Sequence, residues 1–225
     1  ILGIVGESGS GKSVTALSVM GLLPTAARIL SGKICFRGTN LLTLDEKELR
    51  RLRGAGISMV FQDSMTSFNP LLTIGSQVEE MLRLHSKHTR EEYKALTLAA
   101  LKEAGLPNPG EIYHRYPHQL SGGMRQRAMI AMAMIAGPQL LIADEPTTAL
   151  DVVTQNKILQ LLKTMNESHG TSIILISHDL RVIESICNRV IVMRNGKVVE
   201  SGTVRELFAH PNTEYTKQLM EAVPM

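Results

Sequence analysis

The chain has 225 residues, 44% of them hydrophobic, and a formal net charge of +3. That is enough apolar material for a substantial core, in one large α/β domain or a core with a smaller lobe, and it excludes a disordered chain. No apolar run approaches the 18 or so residues needed to cross a bilayer, the Ala/Met-rich residues 128–136 being far too short. Lys and Arg are interspersed with acids, which argues against a nucleic-acid tract, and a soluble chain is expected.

The chain opens on an apolar run, Ile1 to Val5, read as a core strand, and no signal peptide is expected. GESGSGKS follows, from Gly6 through Glu7, Ser8, Gly9, Ser10, Gly11 and Lys12 to Ser13, and a helix-like run from Val14 to Leu23 comes next. The spacing G-x-x-x-x-G-K-[ST] between strand and helix is a phosphate cradle. Its glycines let successive backbone N–H groups turn toward one anion, and the helix adds its positive end. Lys12 is expected to reach the β- and γ-phosphates, and Ser13 carries a hydroxyl suited to Mg²⁺.

Pro24 and Ser31-Gly32 mark loops, Lys33 to Arg37 reads as a short strand, and Leu44 to Arg53 as a charged helix. Ile57 to Phe61 is a continuous apolar strand that delivers Gln62 to a polar loop ending at Pro70. From Thr73 to about Gly137 the pattern becomes helical. Ile74, Val78, Met81, Leu82 and His85 share one face, Thr89 and Glu92 form a capping box, and Ser121 is placed to cap a helix reaching Gly137-Pro138. His114 and His118 have metal-pair spacing, but Pro117 between them argues against a regular helix and so against a metal site.

Leu140 to Glu145 (LLIADE) is a buried strand of the parallel type that ends in two acids. Strand-end acids in a phosphate-loop chain fit phosphoryl transfer, with Asp144 holding Mg²⁺ directly or through water and Glu145 reaching the water that attacks the γ-phosphate. A helix over Val152 to Ser168, a strand over Ser172 to Ile176 delivering His178, and a helix from Asp179 to Cys187 follow. A hairpin around Asn195-Gly196 and two short helices complete the pattern. Alternating β and α elements around a phosphate loop imply a mostly parallel, helix-covered sheet. Cys35 and Cys187, without metal-ligand spacing, are expected to be buried, reduced thiols.

LSGGMRQR, Leu120 to Arg127, puts Ser121, Gly122 and Gly123 at a helix start, a second anion-binding element in a chain that already has one. Two copies facing head to tail, each lending this element to the other's nucleotide, is the economical arrangement.

With these motifs in order, the chain resembles an ATP-binding cassette (ABC) ATPase from end to end. By position, Gly6 to Ser13 matches that family's P-loop, Gln62 its Q-loop, and Leu120 to Gln126 its signature motif. Leu140 to Glu145 matches its Mg²⁺ strand, Ala149 to Asp151 its D-loop, and His178 its switch histidine. The resemblance implies a P-loop NTPase fold, a RecA-like α/β core over 1–71 and 138–225 with a helical subdomain inserted at 72–137. It implies Glu145, His178 and Gln62 in catalysis and Ser13, Gln62 and Asp144 around Mg²⁺. The resemblance further implies that the P-loop residues bind ATP, with Ser121, Gly122, Gly123 and Asp151 completing the partner's site.

FQDSMTSFNPLLTIG, YPHQLSGGMRQR, ADEPTTALDV and the tail HPNTEYTKQLMEAVP look like the dipeptide, oligopeptide and nickel importer subgroup. This implies a subunit peripheral to the cytoplasmic side of the bacterial inner membrane, paired with a second cassette, two permeases and an extracytoplasmic solute-binding protein. The family's antiparallel strands and adenine-stacking aromatic precede the P-loop strand, at which this sequence begins, and many subgroup members extend past its end, so a fragment is expected. A non-transport cassette acting on DNA or ribosomes is the alternative, but it calls for a coiled-coil insertion, zinc cysteines or a second cassette. A regulatory cassette without hydrolysis is disfavoured by Glu145, Gln62 and His178.

Overall fold

The computed structural model describes residues 1–221; the end of the HPNTEYTKQLMEAVP tail lies outside the described residues. In chain order the elements are β1 (Leu2–Val5), α1 (Lys12–Met20), β2 (Cys35–Phe36), β3 (Thr39–Asn40), α2 (Glu46–Leu52) and β4 (Ile57–Val60). Helices α3 (Ile74–His85), α4 (Arg90–Glu103), α5 (Pro109–His114) and α6 (Gly122–Met134) come next. Then come β5 (Leu140–Asp144), α7 (Val152–His169), β6 (Ser172–Ser177), α8 (Leu180–Ile186), β7 (Arg189–Arg194), β8 (Lys197–Thr203), α9 (Val204–Ala209) and α10 (Glu214–Glu221). The chain divides into two compact units, one of residues 1–53 and 174–221, the other of 54–173.

In the first unit β1 is the central strand. It pairs in parallel with β6 (Leu2 opposite Ile174) and with β7 (Leu2 opposite Arg189), and β7 turns back through Asn195-Gly196 into antiparallel β8. Its apolar run is buried by this arrangement, Val5 completely. Helix α8 lies close against β1 because position 3 has no side chain: a Cβ on Gly3 would sit 2.7 Å from Ile183 Cγ2. Cys187, at the end of α8, is buried, and burial pushes its thiol up to about 12. Cys35 departs from expectation. It is exposed, because the β2–β3 pair is only two residues long in each strand and covers little of either face.

In the second unit β4 and β5 pair in parallel, Ile57 opposite Leu140 through Val60 opposite Ala143, and all four β4 residues are buried. Helices α3 to α6 pack on one another. Ile74, Val78 and Leu82 of α3 are buried as the 3.6-residue period requires, with Met81 and His85 at the margin. Thr89 and Glu92 form the expected reciprocal capping box. The periodicity missed Glu79, a carboxylate on the buried side of α3. It is held by Arg83 at 2.7 Å and by the Tyr113 hydroxyl from α5, and burial together with that hydrogen bond pushes the phenol up to about 12. His114 ends α5 while His118 sits in the short 3₁₀ turn that Pro117 opens, so the two lie on different elements.

Candidate functional site

The phosphate loop lies wholly in the first unit, between β1 and α1. Gly6 must be a glycine: a Cβ there would come within 2.1 Å of the Met193 carbonyl oxygen, so any side chain would push the loop off β7. Gly11 caps α1 with φ 100°, a left-handed conformation that turns the chain sharply into the helix. The Gly196 N–H, at the β7–β8 turn, donates to Ser10 O at 2.9 Å and braces the loop from that side.

Lys12, the first residue of α1, is 5% exposed. Its ammonium donates to Gly6 O at 2.7 Å, Glu7 O at 2.8 Å and Ser10 Oγ at 3.4 Å, so the loop closes around its own cation. Burying an ammonium is tolerated only with such oxygen partners, and the same charge is what an incoming phosphate would meet. Glu7, Ser8 and Gly9 form the exposed crest of the loop, and Ser13 lies in the first turn of α1. The Glu7 N–H points inward and donates to Tyr215 Oη at 3.1 Å. Tyr215 lies in the tail HPNTEYTKQLMEAVP, whose resemblance gives it no role at the loop, and it reaches Glu7 across 208 residues of sequence. His178 also belongs to this unit; it is exposed at the turn between β6 and α8, where Asp179 caps the helix.

The acidic strand end lies in the second unit. Asp144, the last residue of β5, is 5% exposed, and Glu145 follows with φ 46°, in the left-handed region that non-glycine residues seldom occupy. Gln62, delivered past the end of β4, donates from Nε2 to Glu145 Oε2 at 3.2 Å, and Thr148 donates to the same oxygen at 2.7 Å. The structure therefore brings together two residues 83 positions apart, each singled out for its place beyond a buried strand. Thr148 has no signal of its own beyond standing three residues after Glu145.

Ser121 caps α6, its Oγ accepting from Met124 N–H at 3.3 Å, so two glycines occupy the first turn of that helix. Gly123 is there for packing: a Cβ would lie 2.4 Å from Thr154 Cγ2 on α7. Asp151 caps α7 and accepts from both the Thr154 hydroxyl (2.7 Å) and its N–H (2.9 Å), which hold its carboxyl below the usual range. Thr154 thus meets the first turn of α6 and the cap of α7.

The ABC transporter family profile matches residues 1–148. The dipeptide transport ATP-binding protein DppD of Bacillus subtilis is 51% identical over 222 residues, 98% of this chain and 66% of the relative. A probable peptide ABC transporter ATP-binding protein of Sinorhizobium fredii is 49% identical over 225 residues, all of this chain and 67% of its own length. The chain thus spans about two thirds of these curated relatives. Among solved structures, a dimeric post-hydrolysis ATP-binding cassette, MJ0796, bound to ADP and Pi, superposes with a TM-score of 0.81 at 34% identity, over 91% of this chain and 85% of that one. The cassette cbiO1 of Clostridium perfringens, part of an ABC transporter complex, reaches 0.79 at 28% identity, covering 98% and 86%. A lysine-centred phosphate loop, a Gln-bound glutamate after a buried strand and these likenesses agree: the chain is an α/β P-loop nucleotide-binding domain and belongs to the ABC transporter ATP-binding cassette family.

Proposed function

We propose that this chain binds and hydrolyses ATP to power solute import, as the ATP-binding subunit of an ABC transporter carrying peptides, nickel or a related solute. The observation that carries the reading is the Gly6–Ser13 loop folded around the buried Lys12 ammonium, on the end of a parallel strand. Relatives named as dipeptide and peptide transport ATP-binding proteins, matched along essentially the whole chain, support the transported class.

The P-loop residues and Lys12 bind the phosphates. Glu145 accepts the proton of the attacking water as a new O–P bond forms at the γ-phosphorus, the bond to the β–γ bridging oxygen breaks, and ADP and phosphate leave. His178 steadies the γ-phosphate and Gln62 keeps Glu145 oriented. Ser13 would supply a hydroxyl, and Gln62 and Asp144 an amide carbonyl and a carboxylate, each a hard oxygen donor of the kind Mg²⁺ takes. When bound, Mg²⁺ neutralises charge on the β- and γ-oxygens. A second cassette faces the first head to tail, so that Ser121, Gly122, Gly123 and Asp151 of each complete the other's site. Residues 72–137 act as the helical subdomain of a core formed by 1–71 and 138–225. Two permeases and an extracytoplasmic solute-binding protein complete the transporter, and the cassette sits peripherally on the cytoplasmic side of the bacterial inner membrane.

The direct test is ATP hydrolysis with Mg²⁺, comparing the parent with Lys12→Ala. Loss of the loop cation is expected to weaken ATP binding at least about tenfold and hydrolysis about a hundredfold or more. A parent without ATPase activity, or an undiminished Lys12→Ala variant, would overturn the proposal.

A further inference from the structure

The phosphate loop rests on more than its own glycines. On one side lies the β7–β8 turn, whose Gly196 N–H holds Ser10 O. On another lies Tyr215 of α10, 5% exposed, whose hydroxyl accepts the Glu7 N–H at 3.1 Å. The same Glu7 residue presents its carbonyl to the Lys12 ammonium at 2.8 Å. One phenol therefore fixes the backbone of a residue that also receives the phosphate-binding cation.

Tyr215 is itself held on two sides. The Arg194 guanidinium, at the end of β7, lies 4.5 Å from the centroid of its ring. The start of α10 is tied to β8 by Glu200, which accepts from the N–H groups of Asn212 and Thr213 and from the Asn212 amide and Thr213 hydroxyl. The Thr213 hydroxyl in turn meets that of Thr216, a fully buried residue. The start of this eight-residue helix and its Tyr215 ring are thus fixed to β7 and β8, the strands that flank the loop.

We infer that Tyr215 is a positioning residue for the triphosphate: acting through the Glu7 peptide, it sets the shape of the phosphate loop and the placement of Lys12, and makes α10 a structural part of the nucleotide site. This rests on the ATP-binding reading. Because the contact is with the loop backbone, the effect is on phosphate binding whatever base the nucleotide carries.

Tyr215→Phe removes the hydroxyl and keeps the ring against Arg194. Calorimetric titration of the full chain with MgATP and with magnesium triphosphate should show both dissociation constants raised about three- to tenfold, the loss of one neutral hydrogen bond. The Glu7 amide should exchange with deuterium at least about tenfold faster, while amides within α1 keep their rates. Parent-like affinities and Glu7 exchange in Tyr215→Phe would overturn the role of Tyr215 alone, and so would weakened ATP with unchanged triphosphate, which would mark a contact to the base. A parent that bound neither ligand would overturn the ATP reading itself. If the variant does not fold, exchange in the parent decides: a Glu7 amide as fast as the exposed crest residues Ser8 and Gly9 overturns the inference.

Discussion

Glu145 occupies an uncommon backbone conformation, with φ 46°, immediately after the last residue of β5. A non-glycine residue in that region costs on the order of 1–3 kcal/mol, and it persists only where its surroundings over-determine it. Here the side chain supplies part of the constraint, because Gln62 and Thr148 both donate to Oε2. The strain and the two donors together aim one carboxylate out of the strand end, which suits a residue that must meet a particular water. Glu145→Gln keeps the shape and removes the basicity. We expect ATP binding to be retained and hydrolysis to slow by about a hundredfold or more, as loss of a general base should. Single-turnover hydrolysis checks this, and a rate matching the parent would show that Glu145 is not the base. With ATP retained, the variant should also accumulate as a dimer on size exclusion.

The attachment of α10 to β8 is a pH-dependent device at the scale of elements. Burial pushes the Glu200 carboxyl up, but the hydrogen bonds from Asn212, Thr216 and Thr213 outweigh it and hold the carboxyl below its ordinary value of 4.5. A carboxyl depressed on folding contributes stability that is fully present above 4.5 and is lost as pH falls below it, through the folded value. Acidification should therefore loosen α10 before the rest of the first unit. Hydrogen exchange of the α10 amides at successive pH values is the measurement, corrected for the intrinsic pH dependence of exchange. Glu200→Gln, which cannot titrate, should remove the extra acid sensitivity of α10, and an α10 that opens only together with β1 and β7 would count against it. Thr154 plays a comparable part in the second unit, where it fills the space above Gly123 and holds the Asp151 cap, so that α6 and α7 start from one shared contact.

For the whole molecule, the proposed partners give the loop after β4 its meaning. Gln62 bonds to Glu145, while the following residues run on to α3 with Met65, Leu71 and Leu72 exposed. A permease seated near that loop would act on Glu145 through Gln62. Gln62→Ala is accordingly expected to lower permease-stimulated ATP hydrolysis several-fold more than basal hydrolysis, a difference of about 1 kcal/mol for one lost hydrogen bond. Rates with and without permeases in liposomes test this, and equal losses in both would argue against coupling.

Much of this protein was legible from local pattern, because its elements are ruled by short-range physics. The glycine spacing before Lys12, the runs of buried strand ending in Gln62 and in Asp144-Glu145, the Thr89 capping box and the Asn195-Gly196 turn each depend on residues within a few positions of one another. The sequence by itself thus determined the α/β class, the phosphate loop and the family resemblance. Only the tertiary structure decided what lies between distant residues: the Tyr215 hydroxyl on the Glu7 N–H, the burial of Glu79 against Tyr113, and Thr154 against Gly123. It also exposes Cys35, for which the lack of metal-ligand spacing predicts a buried, reduced thiol. The reason is physical. A side chain's partners across 30 or 200 residues depend on how the elements pack, and one hydroxyl or one missing Cβ leaves no period or motif to be read in advance.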